Sequence, residues 1–124
     1  MLKALADRLA EAFAERLHEK VRKDYWGYAS DEALSNQDMI SEKYRGIRPA
    51  PGYSACPDHT EKALLWQSLA PETHAGMTLT DSYAMLPTAA LSGCYFSHPQ
   101  HKHFATRHLA EATLHSYAAP KCTP

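Results

Sequence analysis

Arg45-Gly46-Ile47-Arg48-Pro49-Ala50-Pro51-Gly52-Tyr53-Ser54-Ala55-Cys56-Pro57-Asp58-His59-Thr60-Glu61-Lys62 is too stiff and too poor in periodicity to be a helix or a regular strand. Its three prolines hold φ near −65° and push the preceding residues into extended backbone. Gly46 and Gly52 supply left-handed freedom or close backbone approach. Ile47 and Tyr53 look like buried anchors, and Arg48 puts a guanidinium on the loop. A spacer would be Ser/Gly-rich or charged and would lack the aromatic. Two readings stay open: a pre-organised binding loop and a structural turn.

Upstream, Leu2, Leu5, Leu9, Phe13, Leu17 and Val21 recur at three- and four-residue steps, which predicts one amphipathic helix over 2–24. Glu19 and Lys23 form a favourable i,i+4 pair on its outer face. Tyr25-Trp26-Gly27-Tyr28 ends the helix, with Gly27 suited to a left-handed exit and Trp26 expected under a neighbouring loop. A short helix is predicted over 35–44, with Ser35 as N-cap and Asp38 completing a capping box. Glu42 falls on its last turn, where an acid opposes the helix dipole, and that local conflict marks Glu42 as a candidate functional residue.

Downstream, Asp58 or Thr60 caps a helix running to about Leu69, with Ala63, Leu64, Trp66 and Leu69 on its apolar side. Pro71 and Gly76 mark a turn. Alternation over 77–85 and the Ala89–Phe96 run predict two strands, with Gly93 allowing a bulge or a close backbone approach. A third strand is expected over Phe104–Arg107 and a last helix over His108–Ala118. The fold class is α+β, an antiparallel sheet with helices packed against it.

The 124 residues suit one domain or a piece of one, with 44% apolar and 22% charged residues in the globular range. A net charge of −1 argues against bulk nucleic-acid attraction. No apolar run of about 18 residues and no export signal are visible, so no membrane partner is expected. Cys56, Cys94 and Cys122 make neither an even disulfide framework nor a paired zinc spacing, so a cytoplasmic, reducing setting is expected. His98-Pro99-Gln100-His101-Lys102-His103, with Cys94 nearby, raises a metal reading, against which Lys102 and the loose spacing weigh. Cys56 with His59 is a weaker candidate dyad, and no nucleophile elbow or phosphate-cradling loop is present.

The run Arg48–Tyr53 followed by Ala55–Lys62 resembles the signature of the activation domain of cobalamin-dependent methionine synthase. Collinear blocks agree: Glu11-Ala12-Phe13-Ala14-Glu15, Leu17-His18-Glu19, Tyr25–Ala29, Leu79–Met85 and Ser92–Pro99. The resemblance spans about residues 4–110 and implies a single partial domain, the C-terminal portion of that family's activation domain.

As the resemblance implies, the chain binds S-adenosylmethionine and presents its methyl group to reduced cobalamin held by another module, with a flavodoxin-like electron donor as partner. It implies Arg48 on the methionyl carboxylate, the Ala50–Gly52 backbone and Tyr53 along the ligand, and Glu11 and Glu42 as family carboxylates. Such a ligand wants a fork-shaped donor, carboxylates near its ammonium and sulfonium, and an apolar wall. The family's aromatic pair falls on His103 and Phe104, so His103 stands where a Tyr is usual, and Leu86 where a Trp is usual. The family's domain is roughly two and a half times longer than this chain. Its N-terminal acidic ligand, the Asp-x-His-x-x-Gly cobalamin signature and a zinc–homocysteine site are all absent from these residues. By this reading the chain is part of a methyltransferase and not independently catalytic. The alternative is a non-catalytic fragment or subunit that docks a partner to complete a split enzyme.

Overall fold

Ala, Leu, Glu, Arg and Lys, all strong helix formers, occupy all but three of positions 2–20 and build α1 (Leu2–Lys20). The computed structural model describes residues 1–102. Helix α1 runs into a π-helical turn, Val21–Tyr25, and the chain leaves it at Gly27, whose φ is +69°. Charge pairs run along the helical segment: Arg8–Glu11 at 2.9 Å, Lys20–Asp24 at 3.1 Å, Arg16–Glu19, and the expected Glu19–Lys23 pair at 3.9 Å. At their exposure such pairs add only tenths of a kcal/mol each.

Helix α2 (Asn36–Ile40) is shorter than predicted. Ser35 Oγ accepts from the Asp38 N–H and Asp38 accepts from the Ser35 N–H, the expected capping box. The helix ends at Ser41, so Glu42 does not lie on its last turn; it sits beyond the helix at φ +52°. Helix α3 (Glu61–Leu69) follows an Asp58 turn, in which Oδ1 accepts from the Thr60 N–H at 2.8 Å. Helix α4 (Pro71–Ala75) begins on a proline, which suits a first helical position.

The strands are shorter than the alternation predicts. Thr78–Leu79 (β1) pairs antiparallel with Met85–Leu86 (β2), in register Thr78–Leu86 and Leu79–Met85. Residues 80–84 form the connecting turn, closed by Thr80 N–H to Ala84 O and Ala84 N–H to Thr80 Oγ1. Thr, Asp and Ser there offer the backbone local partners that compete with a ladder. Ala89–Phe96 is not a strand either. It makes one antiparallel bridge, Ile47–Phe96, and Cys94 N–H donates to Pro49 O at 3.0 Å. The expected strand over 104–107, the helix over 108–118 and Cys122 lie outside the described residues. The class is α+β, with a two-stranded sheet.

What is buried differs most from the sequence pattern. Leu2, Leu5, Leu9 and Phe13, four of the six residues of the expected core stripe, are 57–82% exposed, while Leu17 and Val21 are half-buried. The fully buried side chains of this first helical segment are His18 and Arg22, one turn apart on another face. Arg22 donates from Nε and Nη2 to both oxygens of Glu32 at 2.7–3.1 Å, and its guanidinium lies 4.3 Å from the Tyr44 ring. Tyr44 is buried beside them, and Pro49, Pro51, Lys62 and Pro71 are buried as well. Tyr53, read as an anchor, is exposed, and so is Trp26, which stands edge-on to Tyr28. The centre of the described region is therefore a polar–aromatic stack against a proline-rich loop rather than an aliphatic core.

Candidate functional site

The stiff loop is anchored on both sides. Ile47 and Phe96 exchange two backbone hydrogen bonds at 2.9 and 3.0 Å, and Arg45 donates to Ser97 O and Tyr28 O. At its far end Tyr53 N–H donates to Ala50 O, Gly52 N–H to Cys56 O, and Cys56 N–H to Tyr53 O. Two glycines are dictated by this packing. At Gly52, φ is +103° and a Cβ would lie 2.2 Å from the His59 ring. At Gly93 a Cβ would lie 2.7 Å from Pro49 O, the close backbone approach that the sequence allowed for.

Between this loop and α1 opens a cavity of about 480 Å³. Its walls bring together five of the residues singled out from sequence: Glu11, Glu42, Arg48, Ala50 and Tyr53. Gly52 shapes the turn without lining the cavity, and His103 and Phe104 lie outside the described residues. Glu15, Tyr44 and Leu91 also line it and were not singled out from sequence. Only the third- and fourth-residue spacing along α1, which puts Glu11, Glu15 and His18 on one face, pointed to Glu15.

Arg48 is the best-held cation at this cavity. Nη2 donates to Glu15 Oε2 at 2.9 Å, and Nη1 lies 3.2 Å from His18 Nδ1 and 3.5 Å from Ala14 O. Burial draws its pKa down, but the hydrogen bond and charge of Glu15 outweigh that and leave it raised. Burial raises the Tyr44 phenol, reinforced by the Glu15 charge, and raises Tyr95 as well. Both rings stay neutral next to the guanidinium, and Glu15 Oε1 is buried with no hydrogen-bond partner among the described residues. Glu42 reaches the cavity from a left-handed backbone position that non-glycine residues seldom adopt.

Among the described residues no three His, Cys, Asp or Glu side chains are grouped to hold a metal ion. His98 and His101 stand 5.3 Å apart by ring centroids, and His98 Nδ1 accepts from the Gln100 N–H. His59 Nδ1 faces the buried Lys62 Nζ at 3.0 Å, and Lys62 also donates to Tyr83 O. Those contacts tie α3 to the hairpin turn. No helix among the described residues is long and apolar enough to cross a membrane.

A fork-shaped cation, three carboxylates and an exposed tyrosine around one cavity suit a small zwitterionic ligand with a flat ring. The volume is in the range for such a ligand. Residues 1–122 match the family described as "Vitamin B12 dependent methionine synthase, activation domain". A crystal structure of a MetH reactivation domain bound to AdoHcy is similar, at 60% identity and a TM-score of 0.87. The similarity covers 98% of this chain and 37% of that one.

Proposed function

Because the chain belongs to the activation-domain family of vitamin B12-dependent methionine synthase, we propose that it binds S-adenosylmethionine in the cavity between α1 and the Arg48 loop. The supporting observation is the convergence of Arg48, Glu11, Glu42, Ala50 and Tyr53 on that one cavity. The similar MetH reactivation domain holds AdoHcy, which differs from S-adenosylmethionine by the methyl group and the sulfonium charge.

Arg48 takes the α-carboxylate, since a guanidinium fork matches it. Glu11 and Glu42 face the ammonium and sulfonium charges, and Tyr53 with the Ala50–Gly52 turn lies along the remainder. His103 and Phe104 complete the ligand's surroundings. When bound, S-adenosylmethionine supplies a methyl group for reduced cobalamin held by another module of the enzyme. The chain's share is binding, orientation and charge. The cobalamin-binding module and a flavodoxin-like electron donor are its partners, and the cytoplasm its setting. It acts as part of a methyltransferase, as a single partial domain corresponding to the C-terminal portion of the activation domain.

Calorimetric titration of S-adenosylmethionine into the 124-residue chain tests this, with Arg48→Ala and Arg48→Lys as controls. Losing the charge-assisted pair weakens affinity roughly 10- to 100-fold in Arg48→Ala. Arg48→Lys keeps the charge but not the fork and recovers only part of it. Unchanged affinity in Arg48→Ala refutes the placement of the ligand carboxylate.

A second reading is favoured by the exposed Leu2, Leu5, Leu9 and Phe13 face of α1. In it the chain docks a partner and completes a split enzyme. Sedimentation with the part of a MetH reactivation domain outside the matched region separates the two readings, because a stable complex that alone binds the ligand supports the second.

A further inference from the structure

We propose that His18 and Glu15 are positioning residues that aim Arg48 into the cavity, and that His18 does so only as the neutral ring carrying its proton on Nε2. The functional meaning rests on the S-adenosylmethionine reading above; the hydrogen-bond assignment stands apart from it.

The assignment follows from what a guanidinium can do. Arg has five N–H donors and no acceptor. The 3.2 Å contact between Arg48 Nη1 and His18 Nδ1 therefore needs a lone pair on Nδ1. In a neutral ring the proton is then on Nε2, which faces the Tyr28 hydroxyl at a long 3.5 Å. A doubly protonated ring would turn an N–H against Arg48, with the Arg22 guanidinium already on the Tyr44 ring beside it.

The ring cannot readily turn to escape this choice. His18 is fully buried, stacked on Tyr95 at 5.1 Å and edge-on to Tyr44 at 4.9 Å. Glu15 Oε2 takes the other arm of the guanidinium at 2.9 Å. Both partners stand on one turn of α1, so the helix sets the direction of the Arg48 tip while Pro49 and Pro51 stiffen its root. The Arg48 side chain stays 27% exposed where it meets the cavity. Holding a flexible cation in its binding direction before the ligand arrives lowers the entropy lost on binding.

The test compares His18→Asn with His18→Gln in the full chain. An Asn oxygen falls near the place of Nδ1, whereas a Gln amide reaches toward the place of Nε2. With S-adenosylmethionine as titrant, His18→Asn is expected within about threefold of the wild-type affinity. His18→Gln is expected to bind about tenfold more weakly, since the acceptor facing a charged donor is lost. In an Arg48→Ala background the Asn–Gln difference disappears. Equal affinities for Asn and Gln with Arg48 present overturn the proposal, since a merely structural polar residue would not distinguish them. Long-range proton–nitrogen correlation spectra of the wild-type histidines give a reading that needs neither variant nor ligand. A bare Nδ1 and a protonated Nε2 at His18 support the assignment, and a protonated Nδ1 overturns it. Wild-type chain that shows this tautomer yet binds no S-adenosylmethionine refutes the ligand reading and leaves the Arg48–His18 assignment standing.

Discussion

Replacing Glu32 by Ala would strand a fully buried guanidinium. Arg22 has no solvent exposure and makes three hydrogen bonds to Glu32, whose side chain is 9% exposed. Removing one partner of such a pair costs about 3–5 kcal/mol, because the remaining charge keeps its desolvation penalty. The Tyr44 ring recovers only a small part through its cation–π contact. Domain stabilities are about 5–15 kcal/mol, and no Val, Leu, Ile or Met side chain is fully buried among the described residues, so the loss is a large fraction of the total. With a urea slope of about 1.5 kcal/mol per M, the midpoint followed by circular dichroism falls by about 2–3 M. The double variant Arg22→Met, Glu32→Leu is expected to lose less than Glu32→Ala, since neither charge is left buried. A Glu32→Ala cost of about 1 kcal/mol or less, the range of exposed pairs, refutes the claim that this stack is the structural centre.

Gly46→Ala strains a φ of +85° and puts a Cβ 2.2 Å from Phe96 O, whereas Gly76→Ala strains a φ of +63° in open space. The second is expected to cost about 1–2 kcal/mol and the first clearly more, and equal urea midpoints would contradict the packing at the Ile47–Phe96 bridge. Burial raises Tyr28, Tyr44 and Tyr95 above the ordinary phenol range, helped by the Glu15 charge at Tyr44 and opposed by Arg22 at Tyr28 and by Arg48 at Tyr95. The unfolded chain loses those protons first, so their stabilising contribution is full below about pH 10 and is lost as pH rises through the folded values. An absorbance titration of the folded chain that shows every tyrosine ionising together in the ordinary range contradicts this. The hydrogen bond from Lys43, then those with Ser35, holds Asp38 below the usual aspartate value. That contribution is present above the unfolded value and fades as pH falls through the folded one. Loss of the Ser35 and Lys43 shift perturbations in acid, ahead of global unfolding, is the expected NMR result.

Local chemistry was legible in the sequence wherever its cause is local. Strong helix formers with three- and four-residue spacing announced α1, Gly27 its exit, Ser35 and Asp38 the capping box, and Pro49, Pro51 and Gly52 the stiff loop. Within the candidate site, the family resemblance points to Glu11, Glu42, Arg48, Ala50 and Tyr53, and they meet at one cavity. The alternation over 77–85 misled because Thr80, Asp81 and Ser82 hydrogen-bond as readily within a turn as across a ladder.

The sequence by itself determined the helical segments and the rigid loop, since propensity, capping and proline geometry act between near neighbours, while the family resemblance named five of the residues that meet at the cavity. Only the tertiary structure decided which face of α1 turns inward. It buries His18 and Arg22, whose partners Arg48 and Glu32 are 30 and 10 residues away, and leaves Leu2, Leu5, Leu9 and Phe13 outside. A periodicity of apolar residues shows which face prefers to be covered, not what is there to cover it. A buried ion pair or a histidine tautomer exists only once distant segments supply the opposite charge and the second donor, so neither can be read from local pattern.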